Sequence, residues 1–233
     1  MSFSKFALDT ANKLRPVLTK IVPAGLLSAV KAKIVEKNTN SLSNVQIEPF
    51  DKSKYDRGIN LIGNIRGDNG LGQSTRLIAD IIDKSEIPFT INNFFVPPGG
   101  SMTDKSYDYK ITDMASYGVN VIHVNASEFT LCYMEYGNKL WDYRYNIAYW
   151  LWELEEFPEE WLNNINLVDE IWTPAEFISN TLRKYTDKPV TTVPYCVTAP
   201  TDDKYDRKYF NLPEDKFLFL MMFASGSIME RKN

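Results

Sequence analysis

The sequence is poor in residues that bind transition metals. It has one histidine, His123, and two cysteines, Cys132 and Cys196, in 233 residues. The cysteines are far apart and match no metal-ligand spacing, and such low cysteine usage is typical of a reducing compartment. We therefore expect no structural zinc, no other metal and no bound cofactor.

Long hydrophobic runs are also missing. No segment reaches the roughly 18–20 apolar residues needed to cross a bilayer. The segment most similar to a signal-peptide core, residues 21–30, begins too late and contains Pro23 and Gly25. We therefore predict a cytoplasmic protein.

The chain has little positive charge outside its first 40 residues. Residues 1–40 hold seven Lys or Arg and two acidic residues, a balance of +5, so the other 193 residues carry −9 within the net charge of −4. Proteins that bind nucleic acid need a basic surface to neutralise phosphates. The acidic body therefore argues against nucleic acid as a partner.

The basic first segment has an imperfect apolar stripe surrounded by lysines, with a break at residues 23–25. This pattern predicts a basic amphipathic helical arm over residues 1–40, with its helical part in 1–37. Residues 1–37 could bind an anionic membrane surface at the inner face of the membrane, or they could be a packing or dimerisation arm. Residues 41–57 are polar and rich in turn formers, so we interpret them as a linker.

From residue 58 onwards, short apolar segments alternate with helical patterns. The predicted strands are 59–63, 88–93, 119–124, 146–152, 170–173 and 190–194, and the predicted helices are 73–84, 126–137, one after Pro158, and 175–185. This alternation predicts an α/β fold with a doubly wound, mainly parallel Rossmann-like sheet over residues 58–200. Residues 201–233 are interpreted as a connector, a short helix at 207–211 and a strand at 217–223 that opens a second, truncated domain.

A glycine-rich loop over residues 64–75 joins the first strand to the first helix. Gly70 and Gly72 let a backbone approach a ligand, and the N-terminus of the following helix offers N–H groups to a phosphate. The loop is not a P-loop, and Thr75 stands where a dinucleotide fingerprint has its third glycine. The alternative is a plain tight turn.

His123 and Asn125 lie at the carboxyl end of the predicted strand 119–124. Open α/β sheets bind ligands at this edge, and histidine can transfer protons near neutral pH. His123 is therefore the candidate catalytic residue, and the alternative is a hydrogen-bonded core histidine.

Residues 145–174 concentrate tryptophans and carboxylates, with four tryptophans and seven acidic residues. Aromatic rings can pack on the apolar faces of sugars while carboxylates accept hydroxyl protons. Trp152, Glu153 and Glu155 are therefore candidate sugar-binding residues. The alternative is a packed strand followed by an acidic helix N-terminus, which the helix dipole favours.

Seven segments follow one another along residues 58–233: GINLIGNIRGDNGLGQSTR, NVIHVNAS, YNIAYWLWELEEFPEEW, VDEIWTPAEFISNTL, VTTVPYCV, LPEDKFLFLMMF and ERKN. This series of motifs, in order, resembles the retaining, nucleotide-sugar-dependent glycosyltransferases of family 4, which have the GT-B fold of two facing Rossmann-like domains. Residues 58–233 match the acceptor-binding domain and the first strand of the donor-binding domain. The paired glutamates of the family would fall beyond Asn233.

The resemblance implies a role for each candidate residue. Gly70 and Gly72 would face the donor diphosphate, and Arg231 and Lys232 would neutralise this leaving group as negative charge develops on it. His123 would lie near the transferred sugar. The residues that would face the acceptor are Asn125, Trp152, Glu153 and Glu155.

The implied reaction is hexosyl transfer from a nucleotide-sugar to a glycan or lipid-linked glycan acceptor, in polysaccharide biosynthesis. Most donor contacts belong to the second domain, so the resemblance implies a fragment that is inactive alone. One alternative is a non-catalytic Rossmann-like module that binds a carbohydrate or a protein. Another is a nucleotide-dependent oxidoreductase, which is disfavoured because Asn92 and Asn93 stand where a NAD site needs an acidic residue.

Overall fold

The computed structural model describes residues 42, 45–96, 100–198, 202 and 204–221. The predicted arm over residues 1–40, and Arg231 and Lys232, therefore lie outside the described residues. The chain divides into two compact units, Met1–Cys196 and Val197–Asn233.

The described part of the first unit is built on one sheet of six parallel strands. The strands are β1 (Asp56–Gly63), β2 (Phe89–Asn93), β3 (Tyr117–His123), β4 (Tyr145–Tyr149), β5 (Glu170–Thr173) and β6 (Val190–Thr192). The α-helices are α1 (Gly70–Lys84), α2 (Ala126–Tyr136), α3 (Asn138–Trp141) and α4 (Glu176–Leu182), and the 3₁₀ helices are Asp108–Lys110 and Glu159–Leu167. The predicted α/β, doubly wound, Rossmann-like fold is confirmed.

The strand order in this sheet is β2-β1-β3-β4-β5-β6. The chain therefore moves one way from β1 to β2 and the other way from β3 to β6. Such a sheet has a switch point between the carboxyl ends of β1 and β3, where the loops diverge to opposite faces and leave a crevice.

Both faces of the sheet are buried, because successive side chains in a strand point to opposite sides. On one face, Ile62, Ile122 and Ala148 pack with α2, α3, α4 and the 3₁₀ helix Glu159–Leu167. On the other face, Leu61 and Val121 pack against the apolar side of α1. The near-continuous apolar runs of β1 and β3 reflect this two-sided burial.

Three buried asparagines cross the first of these faces in a row. Asn60, Asn120 and Asn146 occupy paired positions on β1, β3 and β4, and each is at most 2% exposed. Asn60 Nδ2 donates to Asn120 Oδ1 at 2.9 Å, and Asn120 Nδ2 donates to Asn146 Oδ1 at 2.8 Å. The ladder keeps buried polar groups paired and fixes the register of three strands.

Part of the predicted linker is attached to the sheet domain. The backbone of Tyr143 donates to Glu48 O at 3.0 Å and accepts from Asp51 N at 3.1 Å. Phe50 also packs edge-on against Tyr145, with the ring centres 5.8 Å apart. Residues 45–51, within the predicted linker, therefore run along the body of the unit.

Some predicted boundaries were wrong. β4 ends at Tyr149 instead of residue 152, because the last ladder bond is from Trp150 N to Trp172 O and the chain then turns. The helix after Pro158 is a 3₁₀ helix, and it turns Asn164 inwards, where the amide donates to Ala126 O and accepts from Thr130 Oγ1. Neither α3 nor the 3₁₀ helix Asp108–Lys110 was predicted.

The described part of the second unit consists of turns and chain without regular secondary structure. The helix predicted at 207–211 is a turn in which Arg207 Nη1 donates to Pro213 O and Lys216 O, both at 2.7 Å. The strand predicted at 217–223 is absent over 217–221, where Phe217 and Phe219 are exposed. These residues have no neighbouring strand among the described residues of the unit, and an isolated strand cannot satisfy its backbone groups.

In the described residues, no helix has the length and apolar content needed to cross a bilayer.

Candidate functional site

The predicted site elements converge on the carboxyl edge of the sheet. The glycine loop follows β1, His123 ends β3, and Asn125 occupies the N-cap position of the helix after β3. The loop and His123 therefore flank the switch point between β1 and β3, where open α/β sheets bind ligands.

The two candidate glycines of the loop have different surroundings. A Cβ on Gly72 would overlap the backbone carbonyl of Gly67, so the tight start of α1 requires a glycine at this position. A Cβ on Gly70 would meet no described atom within 4 Å. The loop thus has a structural reason for Gly72, whereas Gly70 leaves space at the first residue of α1.

Hydrogen bonds hold the glycine loop in one conformation. Asn69 caps α1 by accepting from Gly72 N at 2.9 Å. Arg76 reaches back from α1 and donates to Ile65 O and Gly67 O at 2.8 and 2.9 Å. Asp68 accepts from Thr103, and its hydrogen bonds with Ser101 and Thr103 lower the pKa of this exposed carboxyl. The loop is therefore preorganised before any ligand binds.

His123 is buried, with 2% of its surface exposed, and both ring nitrogens have partners. Nδ1 lies 2.9 Å from Thr75 Oγ1, and Nε2 lies 2.8 Å from the hydroxyl of Tyr195. Because the Thr75 hydroxyl donates to Leu71 O, it accepts from Nδ1–H, and Nε2 accepts from Tyr195. Burial lowers the pKa of His123 to about 4, so the ring is neutral at physiological pH.

Tyr195 and Tyr149 cover the histidine and were not among the predicted site residues. The Tyr149 and Tyr195 rings stack with centres 5.2 Å apart, and each contacts the His123 ring. The Tyr149 hydroxyl donates to Val193 O at 2.5 Å. The predicted strand 190–194 would have pointed to Tyr195, because residues after a parallel strand share the edge that holds His123.

Asn125 lies at the N-cap of α2 without capping it, because its side chain makes no hydrogen bond to the helix backbone. Its Oδ1 atom is buried and has no partner among the described residues. A buried acceptor without a partner is costly unless water or a ligand donates to it.

The acidic-aromatic turn, residues 152–156, has an ordered indole and exposed carboxylates. Trp152 Nε1 donates to Glu156 O at 2.6 Å, and the Trp152 ring packs edge-on against Trp161 and Phe157. The side chains of Glu153 and Glu155 are exposed. The turn therefore offers carboxylates to solvent beside an indole that is partly used in packing.

The structure joins some predicted site residues and separates others. Thr75 of the glycine-loop helix is hydrogen-bonded to His123, whereas Trp152 packs with the hydrophobic cluster on the opposite face of the sheet. Arg231 and Lys232 lie outside the described residues. Among the described residues, no three His, Cys, Asp or Glu side chains are grouped to hold a metal ion.

Scans against protein-family models, curated proteins and solved structures each gave no match for this chain.

Proposed function

We propose that residues 58–233 are the amino-terminal part of a retaining, nucleotide-sugar-dependent glycosyltransferase, which transfers a hexose to a glycan or lipid-linked glycan. The observation that supports this most is the glycine loop and His123 flanking the β1–β3 switch point of a parallel sheet, linked through Thr75. The in-order motifs that resemble family 4 add to it. The fold alone hosts many functions and does not support this one by itself.

In this proposal, the first turn of α1 faces the donor diphosphate. Gly70 is the first residue of a 15-residue helix, and a Cβ on it would meet no described atom within 4 Å. The N–H groups of a helix N-terminus favour an anion. Arg231 and Lys232 would supply the cations that stabilise the departing diphosphate. No metal or bound cofactor takes part.

The proposed catalytic role of His123 requires a movement. Both ring nitrogens are occupied, by Thr75 and Tyr195, so contact with the transferred sugar needs Tyr195 to leave Nε2. Neutral imidazole could then accept or donate one hydrogen bond to the sugar. In a chain extended beyond Asn233, His123→Ala should reduce turnover about 10²–10³-fold. The change also removes both hydrogen bonds of a buried ring, so turnover is measured per folded molecule.

The acceptor would bind at the acidic-aromatic turn and Asn125. Glu153 and Glu155 are exposed carboxylates beside Trp152, and the buried Oδ1 of Asn125 lacks a donor among the described residues. These groups suit sugar hydroxyls, which both donate and accept hydrogen bonds.

Titrations with UDP-, GDP- and dTDP-sugars and with NADH test the transferase. We expect sugar-nucleotide binding by a chain extended beyond Asn233 and little binding by the 233-residue chain. NADH binding by the 233-residue chain would instead support an oxidoreductase. Sugar transfer by the 233-residue chain at the rate of an extended chain would contradict the fragment hypothesis.

The closed surroundings of His123 favour one alternative, a non-catalytic module that binds a carbohydrate or protein. His123 is 2% exposed and both of its ring nitrogens are hydrogen-bonded, as expected for a histidine with a purely structural role. If His123→Ala lowers stability but leaves the turnover of the extended chain near normal, the histidine is structural.

We also propose a cytoplasmic protein that attaches to anionic membrane through residues 1–37. Their charge of +5 within residues 1–40 suits a negatively charged surface, at roughly 1 kcal/mol per basic residue. Deleting residues 1–37 should reduce sedimentation with phosphatidylserine vesicles at low salt. If the full chain and the shortened chain sediment equally, residues 1–37 do not bind the membrane, and the interpretation as a packing or dimerisation arm is favoured.

A further inference from the structure

A cleft of about 740 Å³ opens at the β2 edge of the sheet. It is lined by the glycine loop after β1, the end of β2 and the chain after it, residues 111–113, the end of α2 and α3, all within the first unit. The acidic-aromatic turn follows β4, which lies two strands beyond β1, so the cleft is a different surface. Its volume is in the range of about 300–1,000 Å³ that small-molecule sites occupy.

Hydrogen bonds fix the walls of this cleft. Thr112 N donates to Ile91 O at 2.9 Å, and Asn92 Nδ2 donates to Thr112 O at 2.8 Å, which attaches one wall to β2. Arg66, which the glycine loop contributes to the lining, is oriented by Asp108, with Nε 2.7 Å from the carboxylate. A cleft with fixed walls loses little conformational freedom when it binds a ligand.

Three of the residues that line the cleft are aromatic. Phe94 is 8% exposed, and its backbone N–H donates to Gly63 O at 3.0 Å, at the end of β1. Its ring lies against Tyr136, with the centres 6.2 Å apart. Phe95 adds a third, half-buried ring. Rings in a polar cleft provide flat apolar surface for the C–H face of a ligand.

The charged groups of the lining balance one another. Arg66 and Lys139 carry positive charge, and Asp113 and Glu135 carry negative charge. A site for phosphate or another anion would have an excess of cations. A balanced lining with donors and acceptors of both kinds suits a neutral ligand rich in hydroxyl groups.

We propose that this cleft binds a neutral saccharide of about two rings. It would be a second acceptor subsite of the transferase, and to that extent this inference rests on the proposed function. The glycine loop, which supplies Arg66, would connect the saccharide in the cleft to the donor side of the switch point.

Saturation-transfer NMR with lactose, maltose and cellobiose at millimolar concentration tests the cleft directly, because it needs no donor and no turnover. We expect transfer to the ring protons of at least one disaccharide, with about tenfold weaker binding by the Phe95→Ala and Asp113→Asn variants. Asp113 is exposed, so its variant should fold normally even if Phe95→Ala does not. Phe177→Ala and Asp187→Asn make matched changes at exposed positions away from the cleft and should bind as wild type does.

Three results would overturn the proposal: no transfer to any of the three sugars, binding of inorganic phosphate in their place, or binding lost with Trp152→Ala and unchanged in the cleft variants. The transferase and the cleft can fail separately. Sugar binding in the cleft without donor binding by the extended chain would contradict the proposed transferase and support the saccharide site. Donor binding by the extended chain without sugar binding in the cleft would support the transferase and contradict the saccharide site.

Discussion

Thr75 Oγ1 and His123 Nδ1 lie 2.9 Å apart, and this hydrogen bond ties the first helix of the domain to the end of β3. Gly63 allows the approach, because a Cβ there would come within 2.9 Å of His123 O and 3.1 Å of Thr75 Cγ2. Nε2 reaches Tyr195, 72 residues further along the chain. His123 therefore joins three distant segments at the edge where a ligand would bind.

The pH dependence of stability should report the buried histidine. Burial lowers the pKa of His123 from 6.5 to about 4, so between these values the unfolded chain binds a proton that the folded chain does not. The contribution to the free energy of unfolding is complete above pH 6.5 and falls, by roughly 3 kcal/mol in total, as the pH drops to 4. Urea unfolding at pH 7.5 and 4.5 measures this loss. His123→Asn should show a smaller loss over the same interval, and an equal loss would mean that another group is responsible.

Tyr195→Phe should destabilise the domain. The change removes the hydroxyl that donates to His123 Nε2 and leaves a buried acceptor without a partner, at a cost of about 1–3 kcal/mol. Chemical denaturation of the variant gives the value. Tyr109→Phe is the control, since Tyr109 is 70% exposed and its loss of a hydroxyl should change stability by less than about 0.5 kcal/mol. Equal values for both variants would show that the Tyr195 hydroxyl does not stabilise the fold.

The two glycines that start α1 should respond in opposite directions to alanine. Gly72→Ala forces a methyl group into Gly67 O and should cost about 1–3 kcal/mol or more. Gly70→Ala meets no described atom and should be neutral or stabilising by up to about 1 kcal/mol, because alanine is the better helix former. Thermal unfolding distinguishes them. If Gly70 faces the donor diphosphate, Gly70→Ala should weaken sugar-nucleotide binding by an extended chain without lowering its stability.

Replacing Asn120, the central residue of the asparagine ladder, should destabilise the domain. Asn120→Leu keeps the branched shape of the side chain but puts larger methyl groups in a buried position. It removes the donor to Asn146 Oδ1 and one of the two acceptors of Asn60 Nδ2, which keeps Tyr117 O. Unpaired buried groups cost about 1–3 kcal/mol each, so the variant should lose several kcal/mol or fail to fold. Asn166→Leu, at an exposed position, should change the unfolding midpoint little. A stable Asn120→Leu domain would mean that the ladder only fills space.

Local patterns in the sequence were sufficient for most of the sheet. β5 begins and ends at the predicted residues, Glu170 and Thr173. The residues on either side of this short run favour turns, so the pattern allows only one choice of strand ends. β4 was predicted to end three residues too late, since Trp150 and Trp152 continue the apolar alternation after the ladder has ended. The strand predicted at 217–223 failed over its described residues because strand formation depends on a neighbour, which a local pattern does not contain.

The candidate site was predictable in its position and not in its contacts. The alternation of strands and helices places the glycine loop and His123 at one edge of the sheet, so both were found from the sequence. The hydrogen bond between His123 and Tyr195 was not predicted, because it joins residues 72 positions apart and no local pattern indicates it. The different roles of Gly70 and Gly72 also depend on a tertiary contact, because the Gly67 carbonyl lies where a Cβ on Gly72 would be and not near Gly70.

The sequence by itself determined the class of fold, the acidic character of the body and the segment that carries each candidate residue. These follow from composition and from periodicities of two and about four residues, which act over neighbouring positions. Only the tertiary structure decided which of these residues meet. The register of parallel strands aligned Asn60, Asn120 and Asn146, and the packing of α1 and Tyr195 around β3 made His123 a buried, neutral histidine, because hydrogen-bond partners and solvent exposure are set by contacts between segments distant in the chain.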